Sequence, residues 1–192
     1  MDLNAQEDRK KHIRAKKMML LFSMLSISMT FAGLTSAYIV SKSRPDWLID
    51  FQLPSAFFIS TILIILCSFS IWRAKKNVKN NNIPTTSFWL GITFLLAIAF
   101  VISQFSGFQE LISKGYFFTG AQSTVTTSFL YVLAVLHLVH VFAGMIVLIV
   151  VFYNNQKNKY TIEKLGLELA VTFWHFLGFL WLYLFIFFYF FR

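Results

Sequence analysis

Leu165-Gly-Leu-Glu168-Leu-Ala-Val-Thr-Phe-Trp174-His175-Phe-Leu-Gly178-Phe-Leu-Trp181-Leu-Tyr-Leu-Phe-Ile-Phe-Phe-Tyr189 is a run apolar enough to cross a membrane, yet it carries an acid and an imidazole. A hydrocarbon core about 30 Å thick is crossed by about 20 mostly apolar residues in a helix. Glu168 and His175 stand seven residues apart, about two helical turns, so they share a face, and Trp174 and Trp181 share the adjacent one. An acid or imidazole in hydrocarbon is costly unless a partner satisfies it. Glu168 and His175 are therefore expected to act as a local polar unit, bonded to neighbouring helices or to a lipid headgroup. Trp174 and Trp181 are expected to pack against a helix or to cover lipid.

Outward from this segment the same composition recurs. The chain has 192 residues, 57% of them hydrophobic, 13% charged and 24 of them Phe, against about 45–50% apolar and about 25% charged in soluble domains. Spans are expected at about residues 18–40, 55–73, 86–106, 126–152 and 167–191. The fold class is all-α: a polytopic bundle of five transmembrane helices forming one domain over 18–192, preceded by a basic tail over 1–17. The first apolar stretch continues past Thr35-Ser36-Ala37 through Tyr38-Ile39-Val40, longer than a signal-peptide core, so it reads as a retained span.

The net charge of +9 does not point to nucleic acid, because the basic residues cluster beside apolar stretches as membrane-flanking loops do. Thirteen of them fall in the N-terminal tail (Arg9 to Lys17) and in the loops after spans two (Arg73 to Lys79) and four (Lys157 to Lys164). Only Lys42, Arg44, Lys114 and Arg192 fall on the other side. The positive-inside rule then sets the N-terminus in the cytoplasm and the C-terminus in the periplasm. Pro45, Pro54 and Pro84 lie between spans or at their starts, where a missing N–H does least harm. The single cysteine, Cys67, lies mid-span and offers neither a disulfide framework nor a thiolate metal site.

Span four places His137, His140 and Gly144 on one stripe at i, i+3 and i+7. A glycine there admits a neighbouring helix, so the imidazoles are expected to face protein and find partners in it. Two other uses stay open: two imidazoles could hold a haem, or His137, His140, His175 and Glu168 a metal. Depth argues against both, since His140 falls near mid-membrane and His175 only about 8–10 Å from the inner edge, at about 1.5 Å per residue. Roles at a lipid headgroup or in proton movement remain as further alternatives. In span one, Ser26, Thr30, Gly33 and Ala37 form a stripe of small residues, expected to be an interhelical packing seam. Gln104 is expected to be satisfied by a neighbouring helix or by water, and Trp72, Trp89, Tyr38, Tyr116 and Tyr131 read as interfacial belts. No P-loop, nucleophile elbow or His-Glu-x-x-His pattern is present.

Two motifs carry a family likeness: His-x-x-His-Val-x-x-Gly in span four (His137, His140, Val141, Gly144), and Glu168 followed seven residues on by His175, with Trp174 and Trp181 around it. From about Met18 to Arg192 the chain resembles subunit III of the haem-copper terminal oxidases, cytochrome c oxidase subunit III included. Leu34 to Val40 looks like the bacterial five-helix short form. The resemblance implies a bacterial inner-membrane subunit with no catalytic residue, metal or other cofactor of its own. Haems and copper would sit in partner subunits I and II, which reduce oxygen to water and pump protons in aerobic respiration. This subunit would pack on subunit I, bind phospholipid and sustain proton uptake and turnover stability. Further small subunits or a respiratory supercomplex would be additional partners. His137, His140, Glu168, Trp174, His175 and Trp181 would be lipid-binding or structural polar positions; Ser26, Thr30, Gly33 and Gly144 would serve helix packing. Two departures stand out. Family members usually have Ser-Glu where this chain has Ser26-Ile27, and commonly an Asp where it has Gly178.

The resemblance fits cytochrome c as electron donor, with a quinol oxidase subunit as the alternative. A small His-containing transporter or a haem-binding membrane cytochrome are readings of another class. Against the transporter stands the lack of internal repeats or broken helices.

Overall fold

The computed structural model describes residues 3–45, 47–48, 53–80, 82–120, 123–157, 159–161 and 164–191. Arg192, counted above among the outer basic residues, lies outside them. Five long helices make up the described chain: α1 (Leu3–Val40), α2 (Ser55–Lys79), α3 (Ile83–Ser113), α4 (Val125–Gln156) and α5 (Leu165–Phe190). All five are long and apolar enough to cross a membrane.

Helices α1 to α4 cover their expected spans, α5 ends at Phe190, one residue short of its own, and most overrun the span with polar turns. The largest extension is in α1, where the basic segment before Met18 is helical and continuous with the span. At about 1.5 Å per residue its 38 residues reach about 57 Å, nearly twice the hydrocarbon thickness. The basic turns therefore project beyond the apolar layer.

Local chemistry explains where the helices begin and end. Asn82 caps α3, its side chain accepting from the Thr85 N–H at 3.3 Å, with Pro84 in the first turn. Thr124 and Thr127 form a reciprocal capping box at the start of α4. Gly115, at φ 82°, closes α3: its N–H donates to the Ile112 carbonyl and that of Tyr116 to the Leu111 carbonyl. That double return is a Schellman motif, and its positive φ suits glycine. The cap of α2 comes from another helix, since the Glu110 carboxylate of α3 accepts from the Ser55 N–H at 3.0 Å and the Ser55 hydroxyl at 3.1 Å.

In the bundle, α2 and α3 form a closely packed hairpin, α4 lies against α3, and α5 packs against α1, α2 and α4. Helices α1 and α5 run parallel: Lys17 meets Glu168 at one end, and Lys42 lies 5.4 Å from the Phe191 ring at the other. The core is aromatic. Phe57, Phe100, Trp174 and Trp181 are all fully buried, and Phe57 and Phe100 meet Trp181 edge-on at 5.6 and 5.3 Å. Such T-shaped pairs suit the ring quadrupoles.

Candidate functional site

The polar groups of the bundle gather around two buried tryptophans of α5. Trp181 donates its indole N–H to the Thr61 hydroxyl of α2 at 3.1 Å. The His137 ring of α4 lies 5.3 Å from it, tilted by 33°, and Phe100 of α3 completes a triangle of rings, 6.0 Å from His137 and edge-on to both. One indole thus touches groups from three helices. Trp174 lies where α4 comes nearest. A Cβ added at Gly144 would stand 2.9 Å from Trp174 Cζ3 and 2.9 Å from Leu177 Cδ1. Only a residue without a side chain leaves room there.

The two histidines of α4 part company despite their i, i+3 spacing. His137 is fully buried, and among the described residues neither ring nitrogen has a hydrogen-bond partner. His140 is half-buried, with Nδ1 2.7 Å from the Leu136 carbonyl and its ring edge-on to Phe31 of α1 at 5.9 Å. A 60° offset between these positions suffices to send one ring into the core and the other toward α1. Gln104 of α3 is likewise fully buried with no partner for its amide among the described residues. Among the described residues no neighbouring helix supplies a hydrogen-bond partner to Gln104 or His137.

Glu168 and His175 do not form one polar unit. Glu168, at the first turn of α5, reaches outward to Lys17 of α1 at 3.8 Å. His175 is half-buried in a groove of about 170 Å³ against α2, beside Ile64, Ser68 and Gly178. Two turns of helix bring the Cα atoms to one face, but the side chains serve different neighbours. Gly178 is buried at the same contact, where an added Cβ would stand 3.0 Å from the Ser68 hydroxyl. A larger residue there requires Ser68 to move.

The small-residue stripe of α1 makes no seam inside this chain. Ser26, Thr30, Gly33 and Ala37 are exposed, and a Cβ built on Gly33 meets nothing within 4 Å. The inward stripe is the next one round, Phe31, Thr35 and Tyr38, with Ile27 half-buried against the core. Tyr38 is correspondingly a core residue rather than part of an interfacial belt, ringed by Trp47, Phe129, Phe187 and Phe188. Tyr131 is also buried and donates its hydroxyl to the Tyr116 carbonyl at 3.1 Å. A true belt position is Trp72, exposed beneath the Lys76 ammonium at 5.9 Å.

Several polar ties between helices carry no motif. Thr35 of α1 and Tyr183 of α5 share a hydrogen bond of 2.8 Å. Thr93 of α3 donates to Ser70 of α2 at 2.9 Å, and Ser70 to the Trp89 carbonyl at 3.0 Å. Asn155 of α4 donates to Ser87 of α3 at 2.9 Å. Serine and threonine are common along these helices, and only the facing residue distinguishes these from the rest. Among the described residues no three of His, Cys, Asp and Glu come together as a metal site.

Five spanning helices closed around an aromatic core define a multi-pass membrane protein. The family model described as Cytochrome c oxidase subunit III matches residues 16–192, and the chain belongs to that family. Cytochrome bo(3) ubiquinol oxidase subunit 3 of Buchnera aphidicola subsp. Baizongia pistaciae is 38% identical over 135 residues, covering 68% of this chain and 66% of that relative. Cytochrome c oxidase subunit 3 of a Synechocystis species is 27% identical, covering 85% of this chain and 70% of the relative. The protein of that name from a Bacillus species is 28% identical, covering 81% and 75%.

Proposed function

We propose that this chain is the non-redox subunit III of a respiratory haem-copper oxidase in the bacterial inner membrane, with its N-terminus in the cytoplasm. It packs on subunit I in a complex that also contains subunit II, binds phospholipid, and sustains proton uptake and turnover while its partners reduce oxygen and pump protons. The observation that carries this reading is the family match over residues 16–192. The outward small-residue stripe of α1 supports it, since such a face in a membrane helix suits close approach by another helix. The interior is compatible with it: Trp181 bonds to Thr61, and the His137 ring packs against Trp181 within the bundle.

Cytochrome c is the donor in this reading. A quinol donor is the second reading, favoured by the 38% identity to a ubiquinol oxidase subunit. Purification through a tag on this chain in mild detergent tests both. The expected product contains haem and copper on larger partner subunits and consumes oxygen with reduced cytochrome c. Turnover with quinol alone would assign the second reading, and a preparation without haem would overturn the oxidase assignment. For orientation, a membrane-impermeant amine reagent on intact cells should spare Lys75; strong labelling there would reverse the topology.

A further inference from the structure

Two polar side chains with no exposed surface face each other between α3 and α4. The amide oxygen and nitrogen of Gln104 and both ring nitrogens of His137 have no hydrogen-bond partner among the described residues. The two helices run antiparallel: Asn155 bonds to Ser87 at one end, and the Phe108 and Tyr131 rings meet at 5.3 Å toward the other. Phe100 lies 6.0 Å from His137. Phe100, Gln104 and Phe108 form one stripe at i, i+4 and i+8, so Gln104 faces α4 between the levels of His137 and Tyr131. Ala134, fully buried, occupies that level on α4 and takes up little space. Helical side chains lean toward the N-terminus of their own helix. On antiparallel helices this carries Gln104 toward the level of His137 and His137 toward that of Gln104. The amide and the imidazole converge on one layer without bonding to each other.

We infer that this layer binds ordered water, which bridges the Gln104 amide to a ring nitrogen of His137. The layer is closed to the outside, so its occupant is small. A neutral imidazole offers one donor and one acceptor, and an amide offers both, which suits a molecule that donates and accepts. A bare cation fits poorly, because no Asp or Glu is buried among the described residues and an uncompensated buried charge costs far more than a dipole. Phe100 and Trp181 pack against the His137 ring and make that part of the wall apolar. The amide and the imidazole are then the polar partners, at least two, that a buried water requires. Trp174 Nε1, the remaining buried group without a partner among the described residues, stands about two turns along α5 from Trp181 and lies outside this layer. All the groups involved belong to this chain, so the bridge stands whether or not the oxidase reading does.

The test is hydroxyl-radical labelling of the full chain in lipid nanodiscs, driven by an X-ray pulse in isotopically labelled water and read by mass spectrometry. Radicals born from a bound water oxidise the side chains beside it, so a buried ring is labelled where water is held. Phe100 should be labelled several-fold above Phe31, a ring just as deeply buried. Gln104→Met and His137→Phe should each bring Phe100 down to the Phe31 level, since one polar partner does not hold the water. Thermal unfolding gives a second measure. Each single variant should lower the midpoint, and Gln104→Met/His137→Phe should recover most of the loss, because replacing both partners by apolar groups leaves none unsatisfied. The wild-type comparison needs no variant to fold: equal labelling of Phe100 and Phe31 would overturn the water. Coupled midpoints without labelling would replace it by a direct bond between amide and imidazole. Unchanged labelling in both single variants, or strictly additive losses of midpoint, would overturn the bridge.

Discussion

Helices α1 and α5 lie side by side and parallel, yet they are built for different surroundings. In the most apolar stretch of α5, 44% of residues are buried within the chain, against 11% in α1. Helix α5 is held by α1, α2 and α4, and its large side chains fill the centre. Helix α1 keeps one narrow stripe inside and turns Phe22, Leu25 and Met29 outward. In hydrocarbon this difference has no hydrophobic penalty, because lipid tails are as apolar as a leucine side chain. What separates a core helix from a peripheral one here is shape and polar pairing. Glycine shows the same contrast: Gly144 is pressed against α5, and Gly33 on α1 is open.

The largest effect should come from emptying the centre of α5. Trp181→Ala removes an indole that touches Phe57, Phe100 and His137 and bonds to Thr61. In soluble cores such truncations cost about 3–5 kcal/mol. In a bilayer the loss is of packing and of one hydrogen bond rather than of transfer from water. Thermal unfolding in detergent should shift strongly downward, while Phe22→Ala on the outer face of α1 should leave the transition in place. Similar shifts for both would mean that α5 is no more central than α1.

Overpacking gives the next effect. Gly144→Leu forces atoms into Trp174 and Leu177, at a cost of about 1–3 kcal/mol. Gly33→Leu has room in the isolated chain and should leave its stability unchanged. If the outward stripe of α1 meets a partner subunit, Gly33→Leu should instead lower the yield of assembled complex. Gel filtration of detergent extracts, run beside the unfolding curve of the single chain, separates the two. Full assembly in Gly33→Leu would remove that stripe from the interface.

Much of this architecture is legible in the sequence, and the rest has a physical reason for being hidden. Length and apolarity reveal the five spans, because backbone groups in hydrocarbon must bond within their own helix. Which face of α1 turns inward is not encoded by residue size. Ser26-Thr30-Gly33-Ala37 and Phe31-Thr35-Tyr38 are neighbouring stripes, and the choice is made by Tyr183 and the ring cluster around Tyr38 on other helices. The split between His137 and His140, and the separation of Glu168 from His175, have the same origin. Spacing along one helix gives a common face but leaves the opposing side chain undetermined. That Gln104 finds no partner among the described residues is hidden for that reason too.

The smallest effects should lie at the contacts that join the two compared helices, and their ranking tests what holds α1 in place. Thr35, buried, and Tyr183, 44% exposed at the rim of the bundle, share a 2.8 Å hydrogen bond, whereas Lys17 and Glu168 form an ion pair at 3.8 Å with side chains 55% and 43% exposed. Thr35→Val keeps the shape and removes the hydroxyl, so it should cost about 1 kcal/mol, the usual net worth of such a bond. Glu168→Gln removes only the charge from a long, solvated ion pair, and exposed pairs are worth about 0–1 kcal/mol. The ion pair should weaken further with salt, which screens exposed charges and leaves a hydrogen bond between neutral hydroxyls alone. Cysteine cross-linking between α1 and α5, followed across salt concentrations, reads both: Thr35→Val should loosen the pair at any salt, and Glu168→Gln only at low salt. A larger loss from Glu168→Gln would make the charge contact, rather than the hydroxyl bond and the aromatic stripe, the anchor of α1.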